Sequence, residues 1–337
     1  MSVSFHVGCL PNRPVKNSLE MGYAAEELGY AGIWVADSHS VMRDAYSILS
    51  ILAVQTKRIN LATGVTLTGT RHPAVLANSW ATLQEVSEGR AVCGMGVGES
   101  AVHNLGMRPE KLAVLEEKLK VIRALINGEK VTYEGTEIQM PWSREPVPII
   151  MASSGPKSLQ LAGRLADGVL FQVGSHPKLV QYALDNISMG AKESGRTLAD
   201  LKLYMRIATS VHEDKQQAQQ ELKGYTSVAA GTVFKTVPSE YLDPDLYEDL
   251  RLMKESYDYA HHGSNDSEHS DLLTDRIFDA IAVACTPAEA VQKFQTIADM
   301  GVGGFVCPFG MPDPVPYLQT FAEKVIPNVS GKHSEVA

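Results

Sequence analysis

Long apolar runs are missing from this 337-residue chain: hydrophobic stretches are broken every few residues by Gly, Asp or Lys, whereas a membrane-crossing helix needs about 20 apolar residues in a row. The N-terminus also lacks a basic segment followed by an apolar one, so the sequence reads as a cytoplasmic protein with no membrane partner. Positive charge is in short supply, with 30 Lys and Arg against 39 Asp and Glu and a net charge of -9. Without a basic stripe or tail, no nucleic-acid partner is expected, and a small-molecule partner remains. Cysteine is scarce: Cys9, Cys93, Cys285 and Cys307 stand apart with no CxxC spacing, which argues against a disulfide framework and a zinc knuckle. Buried thiols are the plain reading, although three lie near predicted strand ends where a thiol can face a pocket. His261, His262 and His269 form no i, i+4 pair, and their Gly, Ser, Asn and Asp neighbours describe a solvated loop, so no metal is expected.

What is present is a recurrent strand and helix unit, clearest from Asn60 to Ser100. A short apolar strand ends at Gly64-Val65. Arg71-His72-Pro73 then opens a helix with proline in its first turn. Ala74, Leu76, Ala77, Trp80, Ala81, Leu83 and Val86 recur at helical spacing and predict one apolar face. A second strand from Arg90 runs into Gly94, Gly96 and Gly98, where the backbone can approach a flat or phosphorylated group. The junction of helix end, glycine and apolar strand recurs at Glu27 to Val35, Arg164 to Phe171 and Asp299 to Val306. Such junctions mark parallel βα units.

Counting them places strands near Val3, Gly32, Asn60, Arg90, Ile149, Gly168, Lys202 and Gly304. Eight strands alternating with helices predict an α/β fold of the (β/α)8 TIM-barrel class, whose functional groups lie at the C-terminal strand ends. A single domain is expected over 1–329, with a hairpin-like insertion at about 129–148, a mostly helical one at about 224–286 before strand 8, and a flexible tail at 330–337. In the second insertion Tyr257, Tyr259, His261 and His262 are placed for either a lid or a dimer contact.

Strand ends supply the candidate site. Asp37 and His39 pair a carboxylate with an imidazole after strand two, a general-acid arrangement whose bland counterpart is a cap and a loop residue. Ser153, Ser154 and Gly155 directly precede a helix, with amides and hydroxyls suited to phosphate, or to an ordinary N-cap. Gln172 and Arg206 end two further strands. The three glycines do not have dinucleotide-fingerprint spacing, which disfavours a Rossmann dehydrogenase.

Together these blocks resemble the luciferase-like superfamily of flavin and deazaflavin oxidoreductases, nearest in motif to its coenzyme F420-dependent methylenetetrahydromethanopterin reductase branch. The likeness is carried by Pro11-Asn12, Trp34 to His39, Thr63 to Thr66, Arg71 to Ala77, Thr82 to Ala91, Gly94 to Ser100, Asn104 to Gly106, Met151 to Pro156 and Leu165 to Leu170. The resemblance implies an enzyme with reduced F420 or FMN at the strand ends, no metal, and a homodimer for which apolar residues of helices two and three are available. It implies a non-proline cis bond at Gly64-Val65 behind the ring, Asp37 and His39 as catalytic residues flanking it, and Gly64, Val65, Thr66, Gly96, Gly98, Glu99, Ser153, Ser154, Gly155 and Gln172 as cofactor contacts. Glu99 stands where many relatives have Asp, and Gly8 stands where the methanogen reductase carries an acid. The proton source then falls to His39 or His6, and the substrate is expected to differ from methylenetetrahydromethanopterin. Three activities stay open: hydride transfer to a small unsaturated or imine-bearing substrate, monooxygenation through reduced FMN, and non-catalytic flavin binding.

Overall fold

A strand at Ser4–Cys9 (β1) starts the βα rhythm. The computed structural model describes residues 3–98, 100–257, 265–308 and 314–331. There follow α1 (Val15–Glu27), β2 (Gly32–Val35), α2 (Ala45–Gln55), β3 (Asn60–Thr63), β4 (Thr66–Leu67), α3 (Pro73–Val86), β5 (Ala91–Gly96), α4 (Ser100–His103) and α5 (Leu112–Ile126). A hairpin of β6 (Val131–Tyr133) and β7 (Thr136–Ile138) precedes β8 (Ile149–Ser153), α6 (Pro156–Leu165), β9 (Gly168–Phe171), α7 (Pro177–Glu193) and β10 (Lys202–Arg206). The remainder comprises β11 (Thr209–Val211), α8 (Lys215–Thr236), α9 (Pro244–Glu255), α10 (Asp275–Ile281), β12 (Val283–Cys285), α11 (Pro287–Asp299), β13 (Gly304–Pro308) and α12 (Pro314–Lys324). Strands β1, β2, β3, β5, β8, β9, β10 and β13 occupy the eight expected places, and the fold class is the (β/α)8 TIM barrel. None of the described helices is long and apolar enough to cross a membrane.

The chain divides into two compact units. The first comprises His6–Ala152 with Leu165–Gly168. Within it β1, β2, β3, β5 and β8 pair in parallel in that order, and β4 also lies on β5. These strands are buried almost throughout, which is why they read as continuous apolar runs rather than alternating ones. Helix α3 buries Pro73, Leu76, Ala77, Trp80, Ala81, Leu83 and Gln84. Full burial of a large apolar side chain contributes about 1.5–3 kcal/mol. Val86, assigned to that face from its spacing, is 40% exposed. Gln84 takes an inward place beside it because both ends of its amide are satisfied, by the Pro146 carbonyl at 2.9 Å and the Ala91 amide at 3.0 Å.

The second unit comprises Ser153–Arg164 and everything from Val169 onward, with the first residues through Phe5. Here β10 and β13 pair in parallel, Arg206 opposite Val306. Phe5, Phe294, Phe305 and Phe321 meet with ring centroids 4.8 to 5.8 Å apart. The insertion expected to be mostly helical from Gly224 in fact begins its helix at Lys215 and ends on β12, which pairs in parallel with β11. His269 corrects the solvated-loop reading: it is fully buried, its Nε2 lies 3.1 Å from Ser267 Oγ, and its ring packs 4.2 Å from that of Tyr257. Tyr257 is thus a packing residue. Tyr259, His261 and His262 lie outside the described residues, as do residues 332–337 of the expected tail. Ser330 is tied down, its amide donating to Gln295 Oε1 at 2.9 Å.

All four cysteines are buried, and burial pushes the thiols of Cys9 and Cys285 up to about 11 and that of Cys307 to about 12. Each is a small core hydrophobe rather than a nucleophile.

Gly94 proves to be a packing residue. A Cβ there would lie 1.9 Å from the Thr63 carbonyl oxygen, so β3 and β5 approach only because the side chain is absent. Gly94→Ala is expected to destabilise the protein by about 3 kcal/mol or more through overpacking. Gly303→Ala, whose new Cβ would meet nothing nearer than 4.0 Å, is expected to cost less than about 1 kcal/mol. Urea unfolding of the two variants checks the contrast.

Candidate active site

The end of β2 delivers Asp37 and His39 into a turn in which the Met42 amide donates to the Ser38 carbonyl at 2.9 Å. Ser40, next to His39, takes the left-handed conformation at φ 67°, uncommon outside glycine. Asp37 is only 4% exposed. Its Oδ2 accepts from Thr66 Oγ1 at 2.7 Å and from an Arg71 guanidinium nitrogen at 2.5 Å, while Oδ1 accepts from the other Arg71 nitrogen at 3.3 Å. His39 Nδ1 approaches Oδ1 at 3.4 Å, and His39 Nε2 lies 2.9 Å from Thr70 Oγ1. Tyr46 from α2 donates to Thr66 Oγ1 at 3.1 Å and lays its ring 5.1 Å from the Arg71 guanidinium carbon.

Local sequence explains the convergence. The segment 66–71 is short because His72 caps α3 and Pro73 starts it, leaving Thr66, Thr70 and Arg71 on one loop over the end of β2. Lys118 and Glu110 brace that loop from outside: Lys118 donates to the Thr68 carbonyl at 2.8 Å and pairs with Glu110, which accepts from Thr68 Oγ1 at 2.7 Å. A desolvated carboxylate is tolerated only when such donors compensate it. His39, with 23% of its side chain exposed, is the part of this cluster that can exchange a proton with something outside.

The Gly64-Val65 peptide is cis, as the resemblance implied. Thr66, expected at the cofactor, directs its hydroxyl inward to Asp37. Gly96 has room: an added Cβ would make ordinary contacts with Val65 at 3.4 Å and Ala152 at 3.5 Å. Gly98, at φ 72°, sits in the left-handed region where a side chain is strained, and a Cβ would lie 2.6 Å from Leu67 Cδ2, which would have to move. Glu99 lies outside the described residues.

Ser153, Ser154, Gly155 and Gln172 belong to the other unit and form their own group. Ser153 Oγ donates to the Ser158 carbonyl at 3.1 Å, and Tyr182 donates to the Ser154 carbonyl at 3.3 Å. Around Gly155 nothing lies nearer to an added Cβ than Ser158 Oγ at 3.9 Å. The amides of Gly155, Lys157 and Ser158 at the start of α6 meet no acceptor among the described residues, the condition under which a helix start receives an anion. Gln172 Oε1 accepts from Arg206 at 2.6 Å. No carboxylate pairs with Arg206 among the described residues, and burial lowers the pKa of its guanidinium.

His6 does not fit the role of proton source. It is 2% exposed, and burial lowers its pKa to about 3, so its imidazole is neutral at working pH. Gly8 supplies no acid. Sequence reasoning overlooked Arg71, read only as a helix start, together with Tyr46 and Thr70. Arg71 is a readable signal in retrospect, because a buried Asp needs a cation.

The model of the family described as luciferase-like monooxygenase matches residues 2–304. The chain is 32% identical to a 5,10-methylenetetrahydromethanopterin reductase of Methanolobus tindarius, over 89% of this chain and 92% of that one. It is 28% identical to an F420-dependent glucose-6-phosphate dehydrogenase of Microbacterium testaceum, over 92% of each chain. Among solved structures, the coenzyme F420 dependent tetrahydromethanopterin reductase from Methanopyrus kandleri superposes with a TM-score of 0.82 at 24% identity, covering 97% of this chain and 99% of that one. That likeness shows the same barrel fold.

The buried His6 generates a pH prediction. Its folded pKa of about 3 lies below the ordinary imidazole value of 6.5, so the unfolded chain binds a proton that the folded chain refuses. The folded state is fully favoured above pH 6.5 and loses stability as pH falls toward 3, by up to about 1.4 kcal/mol per pH unit. His6→Phe is expected to flatten stability between about pH 6.5 and 5, above the main carboxylate range, in urea unfolding at several pH values. An unchanged slope would contradict the assignment.

Proposed function

The chain belongs to the luciferase-like monooxygenase family and is an oxidoreductase of the flavin class acting on a small molecule; on that premise we propose that it is an F420-dependent enzyme transferring hydride to or from a small unsaturated or imine-bearing substrate. The observation that carries this is the likeness, over nine tenths of the chain, to relatives named as F420-dependent dehydrogenases.

The residues present fit such a group. Taken by itself, the first unit carries no side chain at Gly96 beside Val65, which suits a flat ring; taken by itself, the second has an open Gly155 and amides at the start of α6 that meet no acceptor among the described residues, which suits an anion. Arg206, held by Gln172, is in the second unit a cation without a carboxylate partner among the described residues. When bound, the deazaflavin ring supplies the hydride. The protein's own part is orientation and the proton. Asp37 and Arg71 fix each other, Asp37 faces His39 Nδ1, and His39 supplies or receives the single proton that a polar double bond requires on reduction. With Gly8 carrying no acid and His6 held neutral, His39 is the one imidazole of the cluster suited to this. The homodimer belongs to this reading too, with Ile51 and Val54 of α2 and Val75 of α3 exposed to serve it.

The test is an anaerobic absorbance titration with F420 and, separately, FMN. F420 is expected to bind with Kd below about 1 mM, equivalent to roughly -4 kcal/mol, and to exchange hydride under nitrogen. Gly96→Ala is expected to leave the melting temperature unchanged while weakening F420 at least tenfold, about 1.4 kcal/mol. Tight FMN binding with oxygen-dependent turnover would replace the hydride reading by monooxygenation. Binding of neither ring would remove the site assignment.

A further inference from the structure

Both nitrogens of His39 are already engaged by the protein. Nδ1 faces Asp37 Oδ1 at 3.4 Å and Nε2 faces Thr70 Oγ1 at 2.9 Å. An imidazole nitrogen has one in-plane direction for a hydrogen or a lone pair. A proton leaving His39 for a substrate therefore has no unobstructed exit from the ring. On the Asp37 side it meets a carboxylate already holding Arg71 and Thr66. On the other side it meets a hydroxyl.

That hydroxyl has a second acceptor within reach, the Leu67 carbonyl at 3.1 Å from Thr70 Oγ1. Its single hydrogen thus has two resting positions. When His39 is neutral, with its hydrogen on Nδ1, Thr70 donates to Nε2. When His39 is an imidazolium, Nε2 donates to Oγ1 and the hydroxyl hydrogen turns to Leu67. Thr70 satisfies either state with a bond rotation alone. Arg71, whose nitrogen lies 3.5 Å from Nε2, can only donate and cannot relieve the imidazolium. Among the described residues, the other charged or titratable groups facing the cluster are Asp44, 3.7 Å from Arg71, and Tyr46, whose ring carries the guanidinium.

We propose that the Thr70 hydroxyl is the outlet through which His39 exchanges its proton with the substrate. In the delivering direction the Nε2–H bond breaks as a new Oγ1–H bond forms, and the original Oγ1–H hydrogen passes to the substrate heteroatom, which carries the negative charge once the carbon at the other end of its double bond has received the hydride. One proton leaves the imidazolium, Thr70 ends as the hydroxyl it began as, and no further reactant is consumed. The inference rests on the reading of His39 as the proton-carrying residue.

Its test has an arm that needs neither cofactor nor substrate. In the intact 337-residue chain, 15N NMR of the imidazoles follows His39, assigned by its loss in His39→Asn. Thr70→Val keeps the side-chain shape and removes the hydroxyl; Thr70→Ser keeps the hydroxyl. In Thr70→Val the imidazolium loses its acceptor, and because a charge-assisted bond is worth more than a neutral one, the His39 midpoint is expected to fall by roughly half a unit to one unit. Thr70→Ser is expected to titrate like the parent. In turnover, Thr70→Val is expected to lower kcat about tenfold or more with KM little changed, and Thr70→Ser to restore the rate. A Thr70→Val protein with the parent's midpoint and 15N shifts would overturn the proposal. So would a shifted midpoint with the parent's kcat and pH profile, since His39 would then deliver its proton by another route. Loss of activity in His39→Asn is required by the functional reading alone, so an active His39→Asn would sink that reading while leaving the NMR result on Thr70 standing.

Discussion

A carboxylate in a nearly dry place has to be met by donors, and the end of β2 is built around that requirement. Asp37 is met there by Arg71 and Thr66, and neither reaches it unless the loop between β4 and α3 is short and firmly held. The helix start at His72-Pro73, the Lys118–Glu110 brace on Thr68 and the Tyr46 ring beside Arg71 all contribute to holding it. His39 inherits its orientation from this arrangement, and Thr70 closes the far side of its ring. Removing one partner of such a pair leaves the other buried and uncompensated, so the cluster is expected to behave as a unit.

The same economy of space governs the strands. Gly94 lets two strands approach, whereas at Gly96, two residues on, an added Cβ would make only ordinary contacts with Val65 and Ala152. Two glycines that look alike in the sequence thus differ: a side chain is barred at Gly94 and tolerated at Gly96. In the second unit Arg206 donates to Gln172, and the first amides of α6 meet no acceptor among the described residues.

Much of this was legible from the chain. Parallel strands buried on both faces leave continuous apolar runs, three of them after a helix-ending glycine, and counting such units placed the eight barrel strands; the extra length at about 129–148 pointed to the hairpin now seen as β6 and β7. The helix at Pro73 and its inward residues followed from 3.6-residue periodicity, apart from Val86, which the spacing placed inward and the fold leaves exposed. Strands β11 and β12, three residues each, carry too little pattern to be seen. His269 looked solvated because its neighbours are polar, yet Ser270 directs its hydroxyl to the carbonyls of Asn265 and Ser267 and lets the turn pack inward. Arg71 lies 34 positions from its partner Asp37, and no local periodicity reports a contact at that range. Asp37 and His39 drew notice as a pair; what joins them to Thr70 and Arg71 is visible only in three dimensions.

The central claim is that Asp37 and Arg71 form one energetic unit on which the geometry of His39 depends. A double-mutant cycle on folding stability, using Asp37→Asn, Arg71→Met and the double variant, measures it most directly. The account predicts a coupling of about 1.5 kcal/mol or more, with the double variant less destabilised than the two single losses added together. Additive losses, with a coupling indistinguishable from zero, would contradict it.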